Sequence, residues 1–332
     1  MDCDVLVIGA GMTGLSAGQR LREQGRRVLV LEKARSAGGR MATRRIGPGR
    51  ADHGAQFLTA HTPAFAAALA GWEAAGLIYP WTAGYARGSL RPSADATFYP
   101  RYAAVNGMNH LAQQLAQGLE VRTAVTVQAV RRLAHGWQVE DSAGGSTHAS
   151  QLLLTAPAPQ SLALLAAGEV ALSTADQAAL AVIAYDPCLV GLFWWQGAAL
   201  LPPVGALLRS QHDPFWIADN QQKGISPEAT LLTVQSSAAF SRRWWEADDA
   251  AALTAIQAGL QEFLDPQGRL VEAQLKRWRF ATASTLCPQP FLLPAGLPGL
   301  ALAGDAFDAA GSKVGSVESA FISGQQVAAA LT

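Results

Sequence analysis

Val5-Leu6-Val7-Ile8-Gly9-Ala10-Gly11-Met12-Thr13-Gly14 stands near the start of the chain, and Val28-Leu29-Val30-Leu31-Glu32 follows it closely. Val5–Ile8 is a short apolar run rich in branched side chains, which predicts a strand buried on both faces. Three glycines then lead into a helical stretch through Leu15, Leu21 and Arg22, and Gly25 sits where such a helix ends. Val28–Leu31 is a second buried strand, closed by Glu32. Strand, glycine turn, helix and strand within about 30 residues make a βαβ unit, and hence an α/β chain with a parallel sheet.

Gly9-x-Gly11-x-x-Gly14 in that setting, with an acid closing the second strand, is a dinucleotide-binding fingerprint. Gly9 permits the tight turn. Gly11 lets a pyrophosphate approach the backbone, and Gly14 lets helix and strand pack closely. The helix N-terminus at Met12 and Thr13 offers unpaired N–H groups and a positive dipole end to phosphates. Glu32, with Lys33 beside it, is placed to accept hydrogen bonds from the hydroxyls of an adenosine ribose.

Outward from this unit, residues 34–57 are Gly- and Arg-rich and read as a long loop with room for one helical turn. Pro63 to Gly76 reads as an Ala-rich helix and Leu111 to Leu119 as another. Residues 79–105 hold many aromatics, prolines and turn formers. Val125–Leu133 and Gly136–Asp141 suggest a hairpin. Leu152–Leu154 is a short apolar strand, ended by Pro157 and Pro159. Residues 185–245 are strand-like and rich in Trp, and Asp248 to Leu264 has the spacing of an amphipathic helix with acids in its first turn. Leu270–Ala281 alternates like a strand. The end repeats the opening logic: strand Leu300–Ala303, Gly304-Asp305, a Gly/Ser-rich loop, and a helix from Ser316 to Leu331.

Composition bounds the rest. The chain has 332 residues, 50% hydrophobic and only 15% charged, against about 25% charged in a typical domain. That balance excludes a disordered chain. Net charge is zero from 25 basic and 25 acidic residues, which argues against a nucleic-acid binder that works by neutralising phosphates. Cys3, Cys188 and Cys287 are odd in number and far apart, so neither a disulfide scaffold nor a metal site is expected. No signal segment and no run of about 18 apolar residues occurs, so a cytoplasmic protein with no membrane partner is the expectation, and a monomer fits it. Only Lys33, Lys223, Lys276 and Lys313 are lysines.

Further segments narrow the cofactor. Ala37-Gly38-Gly39-Arg40-Met41-Ala42-Thr43 and Asp52-His53-Gly54-Ala55-Gln56-Phe57 resemble two flavin-contacting motifs of the flavin amine oxidase superfamily. Gly304-Asp305 and Gly315-Ser316-Val317-Glu318-Ser319-Ala320 are similar to its C-terminal motif. With Leu154-Thr155-Ala156-Pro157-Ala158-Pro159-Gln160, Leu275-Lys276-Arg277-Trp278-Arg279-Phe280-Ala281 and the short length, the chain resembles the renalases, bacterial ones especially, over nearly its whole length.

The resemblance implies non-covalent FAD, because Cys287 lies closer to Gly304 than the linking cysteine of monoamine oxidases does. It implies that Gly39, Arg40 and Met41 approach the phosphates or flavin edge. Ala55, Gln56 and Phe57 then run close to the isoalloxazine ring, Val127 joins the cofactor-binding set, and Asp305 reaches the ribityl–phosphate part. Ser316, Val317 and Ser319 begin a helix aimed at the N1/O2 edge. Gln56, Phe57 and Trp278 are candidate walls around the ring, and no side chain is assigned acid–base work. His53 departs from the usual apolar residue of its motif. Glu318 reads as a first-turn acid that favours the helix dipole.

Amine oxidases of the superfamily carry a lysine near flavin N5 on a strand comparable to Asp186–Phe193, and this stretch has none. The resemblance therefore implies hydride transfer from a small molecule, an isomeric dihydronicotinamide nucleotide, to the flavin, with O2 as acceptor. Two rivals stay open: an amine oxidase or desaturase of the same superfamily, and a flavin-binding redox protein without turnover. The expected fold is α/β with interleaved parts: an FAD-binding domain from 1–57, 101–160 and 285–332, and a substrate domain on a mixed or antiparallel sheet from 58–100 and 161–284.

Overall fold

The computed structural model describes residues 1–84, 86–87, 99–209, 212–213, 215–312 and 314–331. Lys313 and part of the aromatic-rich span 79–105 lie outside the described residues. Two large sheets organise the rest. The first has, in order, Glu120–Arg122, Val28–Leu31, Cys3–Ile8, Ser146–Leu154, Trp137–Asp141 and Val127–Arg132, with Leu300–Leu302 also pairing along Ser146–Leu154. Its pairings Val28–Leu31 to Glu120–Arg122, Cys3–Ile8 to Val28–Leu31, and Ser146–Leu154 to Cys3–Ile8 and Leu300–Leu302 are parallel. The expected hairpin forms its antiparallel edge. Helices pack on the sheet: Val5, Val7 and Val30 face Leu15, Leu21, Ile322 and Val327. Leu6, Leu29 and Leu152 face the opposite way, toward Leu165, Leu180 and Phe307. A strand covered on both faces must be apolar throughout, which is why Val5–Ile8 shows no alternation.

The second sheet runs Arg269–Thr285, Ala184–Gln196, Thr230–Gln235, Trp216–Asp219, Ala206–Leu208 and Ala86–Arg87. Its pairs are antiparallel except the last. One face packs Leu189, Phe193 and Leu232 on Ile256 of the helix Asp249–Ala258. The other face packs Val190, Leu192 and Leu231 on Ile46 and Ala51.

That last contact corrects the reading of 34–57 as a loop. Thr43–Ile46 and Gly49–Asp52 form an antiparallel hairpin. Thr-Arg-Arg-Ile and Gly-Arg-Ala-Asp show little apolar alternation. Their strand character comes from docking Ile46 and Ala51 on the second sheet, a tertiary contact that propensity does not carry. Other boundaries also move. The helix expected over Asp248–Leu264 stops at Ala258, with Asp248 as its N-cap, and a separate turn Gln261–Phe263 follows. The helix expected over Leu111–Leu119 spans Met108–Leu115. The strand around Leu152 begins at Ser146. Helices at Ala158–Ala167, Thr174–Ala181 and Ala238–Arg243 add to the reading.

Candidate active site

The glycine fingerprint behaves as its chemistry requires. Gly9 has φ +108°, and a Cβ there would meet Thr155 Oγ1 at 2.7 Å. A Cβ on Gly14 would sit 2.0 Å from the Gly9 carbonyl oxygen. Gly11 differs: a Cβ there meets nothing within 4 Å, so the space before it is open. Gly11 caps the helix Met12–Glu23 without a side-chain hydrogen bond, and Met12 and Thr13 are buried in its first turn. Glu32 is 6% exposed, and its carboxylate is held from both sides by backbone. Oε2 accepts from Ala10 N and Oε1 from Ala34 N, each at 2.8 Å. Each oxygen keeps a second lone pair. Lys33 is exposed beside it, and Val127 packs at the edge of the apolar cluster that holds Leu29 and Leu31.

The Gly38-Gly39 loop folds onto this turn. Gly38 N donates to Ala10 O at 2.8 Å, a Cβ on Gly39 would lie 3.3 Å from Gly11 Cα, and Met41 is buried with Ala10 and Met12. Arg40 reaches across to Asp305 in a bidentate pair: Nη2 to Oδ1 2.5 Å and Nη1 to Oδ2 2.8 Å. Its Nη1 also meets the Phe280 carbonyl oxygen at 3.3 Å. Asp305 is 7% exposed, and neighbouring Gly304 has open space where a Cβ would go. Tyr185 stands near this pair. Its hydroxyl accepts from Ala158 N at 3.2 Å, and burial, then the Asp305 charge, pushes its pKa up to about 12. Ser316 caps the last helix, Val317–Ala330, by accepting from Ser319 N at 3.0 Å. That helix lies against the first: Ser16 Oγ donates to Phe321 O at 3.1 Å, and Gln325 Nε2 to Ser16 O at 2.9 Å. Glu318 does more than favour a dipole. Its carboxylate accepts from His61 N and from Thr62 N and Oγ1, fastening the start of the helix Pro63–Ala74.

The Asp52–Phe57 segment joins the two sheets. Ala55 N donates to Arg40 O at 2.9 Å, so the glycine–arginine loop and this segment touch. Asp52 is fully buried. Its Oδ1 accepts from Thr43 Oγ1 at 2.6 Å and Met108 N at 2.9 Å, and Oδ2 pairs with Lys223 Nζ at 2.7 Å. The Lys223 side chain is equally buried and lies 5.3 Å from the Trp81 ring centroid. Thr233 Oγ1 donates to Asp52 O and Gln235 Nε2 to Gly54 O. Sequence reasoning misses Lys223, Thr233 and Gln235, which join Asp52 and Gly54 across more than 160 residues. The scarcity of lysine in a half-apolar chain is the one signal that marked Lys223 as worth placing.

His53 stacks on Trp278 with centroids 5.4 Å apart and planes at 23°, and Trp278 Nε1 donates to His53 O at 2.8 Å. Burial, then the charge of Lys276, lowers the His53 pKa to about 4, so the imidazole is neutral at pH 7. Phe57 lies 5.9 Å from Trp216 and 6.4 Å from Trp81, with Arg101 over its face. Gln56 is 6% exposed. Its Nε2 donates to Asp52 O and Gly54 O, whereas its buried Oε1 has no partner.

These features fit a bound flavin dinucleotide. The fingerprint glycines, Glu32, Thr155 and Gly304-Asp305 all lie just past the C-terminal ends of parallel strands, where open α/β sheets bind ligands. Open space at Gly11 and Gly304 gives a backbone cradle, and Gln56 Oε1 is an acceptor in need of a donor.

Fold and cradle together define a dinucleotide-binding α/β protein. The chain belongs to the flavin containing amine oxidoreductase family, whose model matches residues 76–332, while residues 7–70 match the NAD(P)-binding Rossmann-like domain. As a member of that family it is an FAD-dependent oxidoreductase. A protein named as the flavin-containing monoamine oxidase AofH of Mycobacterium tuberculosis is 46% identical over 55 residues. That match covers 17% of this chain and 12% of the relative. Among solved structures, putrescine oxidase bound to putrescine superposes with a TM-score of 0.75 at 15% identity, over 100% of this chain and 99% of that one. A chain named as a protoporphyrinogen oxidase from Exiguobacterium sp. 255-15 gives 0.70 at 14%, over 100% and 99%. At these identities the likeness is one of fold. Among the described residues, no helix is long and apolar enough to cross a membrane.

Proposed function

We propose that the chain oxidises an isomeric dihydronicotinamide nucleotide, as its resemblance to the renalases implies, with O2 as the final acceptor. The observation that supports this reading is the lack of a lysine on the strand comparable to the one that carries it near the flavin in amine oxidases. The strand Ala184–Gln196 has none, and Lys223 is sealed against Asp52. An amine substrate must shed a proton as well as a hydride. A dihydropyridine becomes an aromatic cation on losing hydride alone, so the protein needs placement rather than a base. A neutral His53 beside Trp278, and aromatic Phe57, suit such a flat ring.

In this reading FAD, when bound, supplies the hydride acceptor. Glu32 holds the adenosine ribose, Gly9, Gly11, Gly14 and Gly39 admit the pyrophosphate, and Met12, Thr13, Lys33, Met41 and Val127 flank it. Arg40 and Asp305 fix the stretch between phosphate and ring. Ser316, Val317 and Ser319 present a helix start to the ring, and Ala55, Gln56, Phe57 and Trp278 wall it. Residues 1–57, 101–160 and 285–332 then form the FAD-binding domain, and 58–100 and 161–284 the substrate domain.

Amine oxidation is the second reading, favoured by the family membership itself. One experiment separates them: anaerobic mixing of the yellow enzyme with dihydronicotinamides carrying hydride at the 2- or 6-position, with NADH, and with mono- and polyamines. The isomers are expected to bleach the flavin quickly, and NADH and amines slowly or not at all. Rapid bleaching by an amine, with none by the isomers, overturns the proposal.

A further inference from the structure

A groove on the outer side of the Thr43–Ile46/Gly49–Asp52 hairpin carries a charge arrangement that the dinucleotide site does not use. Arg44, Arg45, Arg50, Asn106, His110 and Gln113 line it, around about 220 Å³. Arg45 and Arg50 stand directly opposite each other in the hairpin register. Like charges in that relation destabilise a strand pair. Neutral amides orient two of the guanidiniums: Arg50 Nη1 donates to Asn106 Oδ1 at 2.8 Å and Arg44 Nε to Gln274 Oε1 at 3.1 Å. Among the described residues no carboxylate pairs with any of the three arginines, and none lines the groove. The neighbouring acid, Asp52, is buried on Lys223. Arg44 also acts on Lys276, whose pKa is lowered first by burial and then by that guanidinium.

The hairpin that holds these cations is rigidly seated. Ile46 and Ala51 belong to the core of the second sheet, and a Cβ on buried Gly49 would collide with Ser226 Oγ at 2.2 Å. Arg45 and Arg50 therefore face each other on a fixed scaffold without an internal counter-charge, while Arg44, at the groove's edge, turns its guanidinium toward Gln274 of the second sheet.

We propose that this groove is a binding site for a phosphoryl group, a phosphate monoester or the end of a diphosphate. Guanidinium forks match the oxygens of phosphate bidentately, and a dianion relieves the Arg45–Arg50 repulsion more fully than a carboxylate does. The volume lies below the roughly 300–1,000 Å³ of pockets that engulf a whole drug-sized ligand, so the groove takes a headgroup. Arg44 follows Arg40 by four residues, which puts their Cα atoms at most about 14 Å apart. Two sources share this chemistry: the phosphate tail of a nucleotide substrate whose ring lies over the flavin, and a separate small phosphate. The substrate source rests on the proposed function, whereas the site itself does not.

The test uses the FAD-loaded full chain and inorganic phosphate as probe. Phosphate is titrated by calorimetry and by melting temperature against wild type and Arg45→Gln/Arg50→Gln, with chloride at matched ionic strength as control. Without phosphate the variant is expected to melt no lower than wild type, because the like-charge pair is gone. With phosphate the order reverses: wild type gains and the variant does not, and its phosphate Kd is weaker by about tenfold or more. Equal phosphate affinity in both proteins, or an equal gain from chloride, overturns the site. Should the double variant not fold, Arg45→Gln alone, altering an exposed side chain, carries the same comparison. A raised KM for a phosphate-bearing dihydronicotinamide mononucleotide, with none for its phosphate-free nucleoside, assigns the groove to the substrate. Lost phosphate binding with neither KM altered assigns it to a separate phosphate. If no isomer reduces the flavin, the phosphate titration and melting comparison decide the site by themselves.

Discussion

Arg40–Asp305 and Lys223–Asp52 are both ion pairs that tie distant parts of the chain together, yet their surroundings differ. In the first, the side chains are 30% and 10% exposed, and open space adjoins at Gly304. In the second, both side chains are 0% exposed, and every contact of Asp52 is an internal one. An ion pair beside an open cradle can rearrange around a ligand. A sealed pair between a hairpin and a second sheet fixes where the Asp52–Phe57 segment stands. The lesson is that one kind of bond serves two purposes, and burial decides which.

The sealed pair gives the largest expected effect. Lys223→Met leaves Asp52 buried without a counter-charge and is expected to cost about 3–5 kcal/mol in chemical denaturation. Asp52→Asn/Lys223→Met removes both charges and should be less damaged than the single variant. A double variant as unstable as the sum of the two singles would show that the pair is not sealed. Next comes His53, whose folded pKa of about 4 lies below the ordinary 6.5. Between those values the unfolded chain takes up a proton that the folded chain does not, so stability falls as pH drops from about 6.5 toward 4. The full loss is roughly 3 kcal/mol at 1.36 kcal/mol per unit. His53→Gln should flatten that part of the stability curve relative to wild type; parallel curves for the two proteins would place His53 in solvent.

The open pair was the more legible of the two. Arg40 and Asp305 each lie next to glycines that follow buried strands or motif loops, so local sequence marks them. The βαβ unit, Glu32 and the last helix are legible for the same reason: apolar runs, glycine turns and the Ser316 cap are local signals. The hairpin of Thr43–Ile46 and Gly49–Asp52 is not, because its apolar partners Val190, Leu192 and Leu231 come from elsewhere in the chain. Nor is Lys223, which is 171 residues from Asp52. The helix Ala158–Ala167 hides behind Pro157 and Pro159, which read as breakers. Pro157 is its N-cap and Pro159 lies in its first turn, where a missing N–H costs nothing.

The smallest effect belongs to the open pair, and it sharpens the comparison. Asp305→Asn keeps the shape of the side chain and an acceptor oxygen for Arg40 but removes the charge. Because the Arg40 side chain is 30% exposed, water and salt screen much of what is lost, and Arg40 keeps the Phe280 carbonyl as a second acceptor. The flavin-free protein should therefore lose only about 1 kcal/mol by urea denaturation, with the loss shrinking further in 0.5 M salt. A loss as large as that of Lys223→Met, insensitive to salt, would mean that Arg40–Asp305 is a structural fastener like its buried counterpart. The distinction rests on dielectric rather than on geometry, since the Arg40 fork is the better aligned of the two pairs and is still expected to matter less to the fold.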